Sequence, residues 1–169
     1  FHPAAVSPAS APKSMAKPQT YKFCFGPWNI SEGQDPYGPP VRPPQTFDWK
    51  LAKLKEHGFD AMMFHDDDAV PDLANKSAKQ ILKEARELKK RLDGLGIVAE
   101  MVAPRLWFHA NTIDGGYTSN DPKCRAYAIE RSKVCIDIAH ELDTDLIVLW
   151  LAREGTYIRE AKNARRAVD

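Results

Sequence analysis

The sequence lacks the long hydrophobic runs and the excess of one charge that are typical of membrane proteins and nucleic-acid-binding proteins. Its longest apolar run, LIVLWLA at residues 146–152, is far shorter than the roughly 18 residues of a membrane span. Its 24 Lys and Arg residues almost balance its 23 Asp and Glu residues, which argues against nucleic acid as the main partner. The 169 residues fit one globular domain, and we expect neither a membrane nor a nucleic acid as its partner.

Cysteine is also scarce. Cys24, Cys124 and Cys135 form no CxxC pair and leave an odd count, so neither a zinc knuckle nor a disulfide framework is indicated. A reducing compartment is the simplest interpretation, and we expect a cytoplasmic protein.

Residues 1–20 show no hydrophobic period and are rich in Ala, Pro and Ser, a composition typical of a flexible leader. We therefore expect the folded part of the chain to cover residues 21–169.

From residue 21 onward, short apolar runs alternate with helical patterns. The runs that predict strands cover residues 21–28, 59–65, 97–103 and 146–152. The helical patterns cover residues 47–58, 77–96 and 121–143, and a fourth helix is predicted to begin at residue 157. Ser77 and Asp121 are the expected N-caps of the second and third helices, and the glycines at positions 94 and 96 are expected to end the second. Nearly continuous apolar strands indicate a parallel sheet and an α/β fold, either a small doubly wound sheet or half of an eight-stranded barrel.

Chemically versatile residues follow each predicted strand, where the functional face of a parallel α/β fold lies. They are Trp28 and Asn29 after the first strand, His65 and three aspartates after the second, Arg105, Trp107, Phe108 and His109 after the third, and Trp150, Arg153 and Glu154 after the fourth. The tryptophans predict an apolar-walled pocket that suits the CH faces of a sugar, although each could instead be a core aromatic that caps the sheet.

The stretch FHDDD at residues 64–68 raises its own question, because three adjacent carboxylates repel one another. The segment could be a solvated acidic loop, or one aspartate could cap a turn. It could also be a site in which an aspartate holds one ring nitrogen of His65 protonated and leaves the other for chemistry. Adjacent residues at a strand end point in alternate directions, so at most two of the four side chains converge on one ion and a metal held by this segment alone is not expected.

Five segments in this order resemble the N-terminal part of xylose isomerase, an aldose–ketose isomerase built on a (β/α)8 TIM barrel. They are FGPWN (25–29), DPYG (35–38), FHDDD (64–68), DGGYTSND (114–121) and WLAREG (150–155). The resemblance implies that residues 21–169 form the N-terminal half of such a barrel, with about four parallel strands alternating with helices.

The resemblance also implies roles for single residues. His65 would bind the sugar ring oxygen and assist ring opening, and Asp68 would orient it, while Asp66 and Asp67 receive no role. Tyr37 would reach into the pocket of a neighbouring subunit. The apolar wall beside the substrate would consist of Trp28, Trp107 and Trp150, and phenylalanine is usual in the family at the position of Trp107.

By the same resemblance, the reaction is a metal-assisted 1,2-hydride shift that converts D-xylose to D-xylulose, or D-glucose to D-fructose. It implies two divalent cations (Mg²⁺, Mn²⁺ or Co²⁺) whose ligands lie outside this chain, so that no metal ligand is expected here. The expected partners are the sugar, the remaining half of the barrel and further copies in a dimer or tetramer. The alternatives are an inactive half-barrel, a related sugar epimerase and a metal-dependent endonuclease.

Overall fold

A computed structural model describes residues 21–33, 38–155 and 162–168 of the chain. The strands are β1 (Cys24–Phe25), β2 (Ala61–His65) and β3 (Val98–Ala103). The α-helices are α1 (Phe47–Glu56), α2 (Asp66–Ala69), α3 (Ala78–Leu95), α4 (Pro122–Glu141) and α5 (Ala164–Val168). Short 3₁₀ turns cover Pro27–Asn29, Leu73–Asn75, Leu106–Phe108 and Ala110–Thr112.

The strands form a parallel sheet in the order β1-β2-β3. The fourth apolar run lies beside β3 through one parallel bridge between Val102 and Ile147. There the N–H of Val102 donates to the carbonyl of Leu146 at 3.1 Å, and the N–H of Val148 donates back to the carbonyl of Val102 at 3.0 Å. The spatial order of the four runs therefore follows their order in the chain, as it does in a (β/α)8 barrel.

One hydrophobic core lies between the sheet and the helices. It contains alternate residues of β2, Met62 and Phe64, together with Ala99 and Val102 of β3. The same core takes buried side chains from α1, α3 and α4, namely Leu51, Leu54, Ile81, Ala85, Leu88, Leu92, Cys135, Ile138, Ala139 and Leu142. These helices thus cover one face of the sheet, whereas a doubly wound fold has helices on both faces. The arrangement confirms the α/β prediction and is that of a partial barrel.

Two predicted strands are longer than those observed. Residues 21–28 contribute only Cys24–Phe25 to the sheet, because a 3₁₀ turn begins at Pro27. Residues 146–152 contribute one bridge rather than a full strand. Each of these segments has a sheet neighbour on one side only among the described residues, so fewer backbone hydrogen bonds hold it extended.

The predicted caps of α3 and α4 are confirmed. Ser77 and Gln80 form a reciprocal capping box at the start of α3, with the Ser77 N–H donating to Gln80 Oε1 at 2.9 Å. Asp121 caps α4 by accepting from the N–H of Lys123 at 2.8 Å. Gly96 ends α3 in the left-handed conformation with φ 63°, which glycine adopts at no steric cost.

Several predictions concern residues outside the described ranges. These are the leader at residues 1–20, Tyr37, and most of the helix predicted from residue 157 onward, of which Ala164–Val168 is observed. In the described part of the chain, no helix has the length and apolar character needed to cross a membrane. All three cysteines are free thiols, and burial raises the pKa of Cys135 far above its ordinary value.

Gly94 and Gly96 allow a matched test of the end of α3. A Cβ at either position would meet no atom within 4 Å, but only Gly96 has a positive φ. We expect Gly96→Ala to lower the free energy of unfolding by about 1 to 2 kcal/mol, because an L-residue is strained in this conformation. We expect Gly94→Ala to raise it by about 0.5 to 1 kcal/mol, because alanine stabilises a helix interior. Urea denaturation measures both, and a stabilising Gly96→Ala would contradict the assignment of this helix end.

Candidate functional site

The acidic stretch after β2 is helical rather than extended. His65 ends β2, and Asp66–Ala69 form the single turn of α2. The backbone N–H of His65 donates to Asp68 Oδ2 at 3.0 Å, and negative side chains are favourable at a helix N-terminus. The expectation that adjacent side chains would point in alternate directions is therefore wrong here, because it assumed that the strand continues.

Asp66 is fully buried and is neutralised by Arg131 of α4. The guanidinium donates from Nε to Asp66 Oδ2 at 2.7 Å and from Nη2 to Oδ1 at 2.8 Å, a bidentate pair. Burial alone would lower the pKa of Arg131, but the hydrogen bonds and charge of Asp66 raise it above its ordinary value. Asp66 Oδ1 also accepts the backbone N–H groups of Asp67 at 2.9 Å and Arg105 at 3.1 Å. This carboxylate thus connects α2, α4 and the loop after β3.

Asp67 and Asp68 share a second arginine. Arg105 donates from Nε to Asp67 Oδ1 and from Nη2 to Asp68 Oδ1, each at 2.7 Å. The Nη2 group of Arg131 also lies 3.5 Å from Asp67 Oδ2. The three adjacent carboxylates are therefore offset by two guanidinium groups, and this explains how the chain tolerates their repulsion.

His65 and Asp68, which the family resemblance implies act together, lie within hydrogen-bond distance of each other. His65 Nδ1 lies 2.7 Å from Asp68 Oδ2, and His65 is only 7% exposed. Burial by itself raises the pKa of Asp68, but the hydrogen bonds from His65 and the charge of Arg105 outweigh it and hold that pKa below its ordinary value. An ionised carboxylate accepts hydrogen bonds only, so the proton between the two side chains lies on Nδ1.

A group of possible metal ligands exists at this point but does not fit a divalent cation. One ligand atom each from His65, Asp67 and Asp68 lies within 4.8 Å of the others. However, the guanidinium of Arg105 already hydrogen-bonds to both carboxylates, and Nδ1 of His65 is engaged by Asp68. The positive charge that these carboxylates require is thus supplied by the chain itself.

Two of the three predicted wall tryptophans contact His65. The ring centroid of Trp28 lies 4.1 Å from that of His65, and Trp107 meets the imidazole edge-on at 5.1 Å. Trp150 is 62% exposed and has no aromatic ring contact in the described part of the chain. The structure therefore brings Trp28, Trp107, His65 and Asp68 together and leaves Trp150 apart from them.

The turn FGPWN explains how Trp28 reaches His65. Gly26 and Asn29 bond reciprocally: the Gly26 N–H donates to Asn29 Oδ1 at 2.9 Å, and the Asn29 N–H donates to the Gly26 carbonyl at 3.0 Å. The indole of Trp28 folds back over Gly26 so closely that a Cβ there would collide with the ring. Glycine is required at this position by close approach, because no side chain fits beneath the indole.

Two cavities meet at Asp68. One has a volume of about 350 Å³, within the range of small-molecule sites, and its wall includes Trp28, Lys50, Asp68, Arg105 and Phe108. The other is a groove of about 780 Å³ between α1 and α3 that also reaches Asp67 and Asp68. His65 lines neither cavity directly. Asp68 thus borders both cavities, while His65 is only 7% exposed.

Glu154, in the segment WLAREG, holds the loop DGGYTSND. Its carboxylate accepts the backbone N–H groups of Gly116 at 2.8 Å, Tyr117 at 3.1 Å and Thr118 at 2.8 Å. Partial burial raises the pKa of Glu154, but these hydrogen bonds outweigh it and hold the pKa below its ordinary value. The side chain of Lys162 donates to the carbonyl of Asp114 in the same loop. Two segments that are distant in sequence are thus joined by one carboxylate.

Sequence reasoning missed the roles of both arginines. Arg105 was placed at a strand end but received no function. Arg131 lies within the face of α4 that carries buried Ala128 and Cys135, three and four residues away. A charged residue in the middle of an apolar helical face is a signal for a buried ion pair, and it points to a partner such as Asp66.

The chain is similar to known proteins over most of its length. A family model described as "Xylose isomerase-like TIM barrel" matches residues 51–169. The xylose isomerase of Thermus caldophilus is 34% identical over 157 residues, and that of Thermus thermophilus is 34% identical over 155 residues. Each alignment covers 90% of this chain and 39% of the relative, so the chain spans about two fifths of the length of these proteins.

The pair of Asp66 and Arg131 is tested by Arg131→Met. We expect the free energy of unfolding to fall by about 3 to 5 kcal/mol, because the substitution leaves a buried carboxylate without its cation. The double variant Asp66→Asn/Arg131→Met should be more stable than the single one, since the uncompensated charge is gone. Arg86→Met is the matched control, because Arg86 forms an equally short bidentate pair with Glu141 but is 55% exposed. This substitution should lower the free energy of unfolding far less than Arg131→Met does. If Arg86→Met and Arg131→Met lowered the free energy of unfolding equally, burial would not be the reason why the pair of Asp66 and Arg131 is important for stability.

The clamp at Glu154 is tested by amide hydrogen exchange. We expect Glu154→Gln to speed exchange at Gly116, Tyr117 and Thr118 about tenfold or more, because hydrogen bonds to a charged acceptor contribute about 1.5 to 3 kcal/mol. The pKa of Glu154 is lowered from its ordinary value of 4.5, so protection should be present above that pH and be lost as the pH falls through the lowered value. Glu141→Gln, which removes the charged partner of the exposed Arg86, should leave these amides unchanged. Unchanged exchange in Glu154→Gln would refute the clamp.

Proposed function

Since this chain belongs to the xylose isomerase-like TIM barrel family, we propose that it is part of a sugar isomerase that interconverts an aldose and a ketose. The conversion of D-xylose to D-xylulose is the preferred reaction, because two relatives are named xylose isomerase. Residues 21–169 would form the N-terminal portion of the barrel.

The hydrogen-bonded pair of His65 and Asp68 carries this proposal. With Nδ1 protonated and held by Asp68 at 2.7 Å, Nε2 is the ring nitrogen left for the substrate. A sugar ring opens when a proton leaves the anomeric hydroxyl and another reaches the ring oxygen. His65 would move a proton at one of these oxygens, and Asp68 would stabilise the positive charge that the imidazole gains.

The aromatic rings give this pair an apolar border. Trp28 and Trp107 contact two sides of the imidazole and would lie against the CH faces of the sugar. Such a border excludes water, which strengthens the electrostatic contact between His65 and Asp68. Trp150 and Tyr37 stay in the proposal as substrate contacts that depend on residues beyond this chain or on a second subunit.

The rest of the assembly is proposed from the family. Because the described residues do not fit a divalent cation, the two cations would be held outside this chain. The remaining half of the barrel would cover apolar side chains near both edges of the sheet, which are now exposed. They are Tyr21, Phe23, Val98, Leu146, Leu149, Trp150 and Leu151. A homo-oligomer and a cytoplasmic location remain predictions.

The test uses the longer protein that contains this chain, with Mg²⁺ or Mn²⁺ added. We expect D-xylulose to form from D-xylose; an epimer as the product, or no product, would contradict the proposal. Turnover by residues 1–169 alone would contradict the placement of the metal ligands outside this chain.

His65→Ala tests the proposed role of the pair. We expect turnover on ring-closed sugar to fall about 100-fold or more, the usual contribution of general acid–base catalysis, with a smaller loss on an open-chain substrate. His57→Ala, at the exposed end of α1, is the matched histidine control and should leave turnover unchanged. Equal losses on both substrates would count against ring opening by His65.

A further inference from the structure

Arg105 lines a cavity, and contacts of both its side chain and its backbone hold it in place. Its guanidinium bridges Asp67 and Asp68, its side chain is only 18% exposed, and it lies over the ring of Phe108 at 5.6 Å. Its backbone N–H donates to buried Asp66 at 3.1 Å. Both ends of the residue are thus fixed to α2, although Arg105 itself follows β3.

This arrangement divides the two oxygens of Asp68 between two partners. Oδ1 accepts from Arg105 Nη2 at 2.7 Å, while Oδ2 accepts from the backbone N–H of His65 at 3.0 Å and faces Nδ1 at 2.7 Å. A carboxylate bonded at both oxygens has its plane fixed. Without Arg105, the carboxylate could rotate, and Oδ1 could take the place of Oδ2 at the imidazole.

We propose that Arg105 is the positioning residue of the His65–Asp68 pair, acting through the carboxylate of Asp68 to fix the orientation of the imidazole and the nitrogen that it offers to the sugar. The consequence for turnover rests on the proposed function, whereas the consequence for the imidazole does not. The planar fork of arginine suits this task because it reaches Asp67 and Asp68 at once, which the single ammonium of lysine does not.

The kinetic test compares Arg105→Met and Arg105→Lys with Arg86→Met in the longer protein that contains this chain. We expect kcat to fall about 100-fold in Arg105→Met, the cost of a misplaced catalytic group, with a change in KM below about threefold. The kcat of Arg105→Lys should lie between that of Arg105→Met and that of the unmodified protein. Arg86→Met should have the kcat of the unmodified protein, because Arg86 pairs with Glu141 and not with Asp67 or Asp68. Circular dichroism identifies any variant that fails to fold.

A double-variant cycle separates action through Asp68 from a general loss of structure. If Arg105 acts through that carboxylate, Arg105→Met should reduce kcat by less than about threefold further once Asp68→Asn is present. If the reductions in kcat caused by Arg105→Met and by Asp68→Asn multiply in full, Arg105 acts independently of Asp68 and the proposal is wrong.

An NMR measurement tests the proposal without any activity. In protein labelled with ¹⁵N-histidine, and with His65→Ala used for assignment, the ring signals should report a protonated Nδ1 that is protected from exchange. We expect this protection to be lost in Arg105→Met and kept in Arg86→Met. Unchanged His65 signals in a folded Arg105→Met would overturn the proposal, whereas inactivity of the unmodified protein with the expected NMR change would overturn the proposed function alone.

Discussion

The buried ion pair between Asp66 and Arg131 is the interaction on which the geometry of the strand ends depends. A fully buried carboxylate is stable only when it is paired and hydrogen-bonded, and Asp66 meets both conditions through Arg131 and two backbone N–H groups. One of those N–H groups belongs to Arg105, whose side chain returns to Asp67 and Asp68. The pair therefore fixes α2, α4 and the loop after β3 relative to one another.

The same electrostatics decides which chemistry this acidic cluster supports. A histidine and three aspartates have the composition of a metal site, but two guanidinium groups already supply the compensating charge. Asp68 is left with one oxygen for His65, and these contacts favour the orientation of an imidazole over the binding of an ion. Composition alone could not distinguish these outcomes, because the arginines come from positions 105 and 131, far along the chain.

The sequence predicted those features that depend on local interactions. Hydrophobic periodicity located the interiors of β2, β3 and the long helices, and the caps at Ser77, Asp121 and Gly96 follow from side chains within a few residues. Prediction from the sequence failed where tertiary contacts determine the structure. The helix α2 forms because His65, Arg105 and Arg131 bind its aspartates. The strands at the edges of the sheet are shorter than predicted because they have few sheet neighbours. Spacing alone did not single out Asp68 as the partner of His65, because residues 65 and 68 would point to opposite faces of a strand. That pairing came from the family resemblance, and the helical turn of α2 brings the two side chains together.

Glu154 extends the principle found at Asp66 to the loop before α4. Asp66 accepts one backbone N–H group from the distant loop after β3, and Glu154 accepts three from the distant loop before α4. Charged acceptors suit this purpose because they bind several N–H donors at once, and such bonds are stronger than neutral ones. The loop after β3 and the loop before α4 are thus held by buried and half-buried carboxylates, while the hydrophobic core fixes the strands. Rigid strands with loops held by charge give the precise placement that the proposed proton transfer at His65 would require.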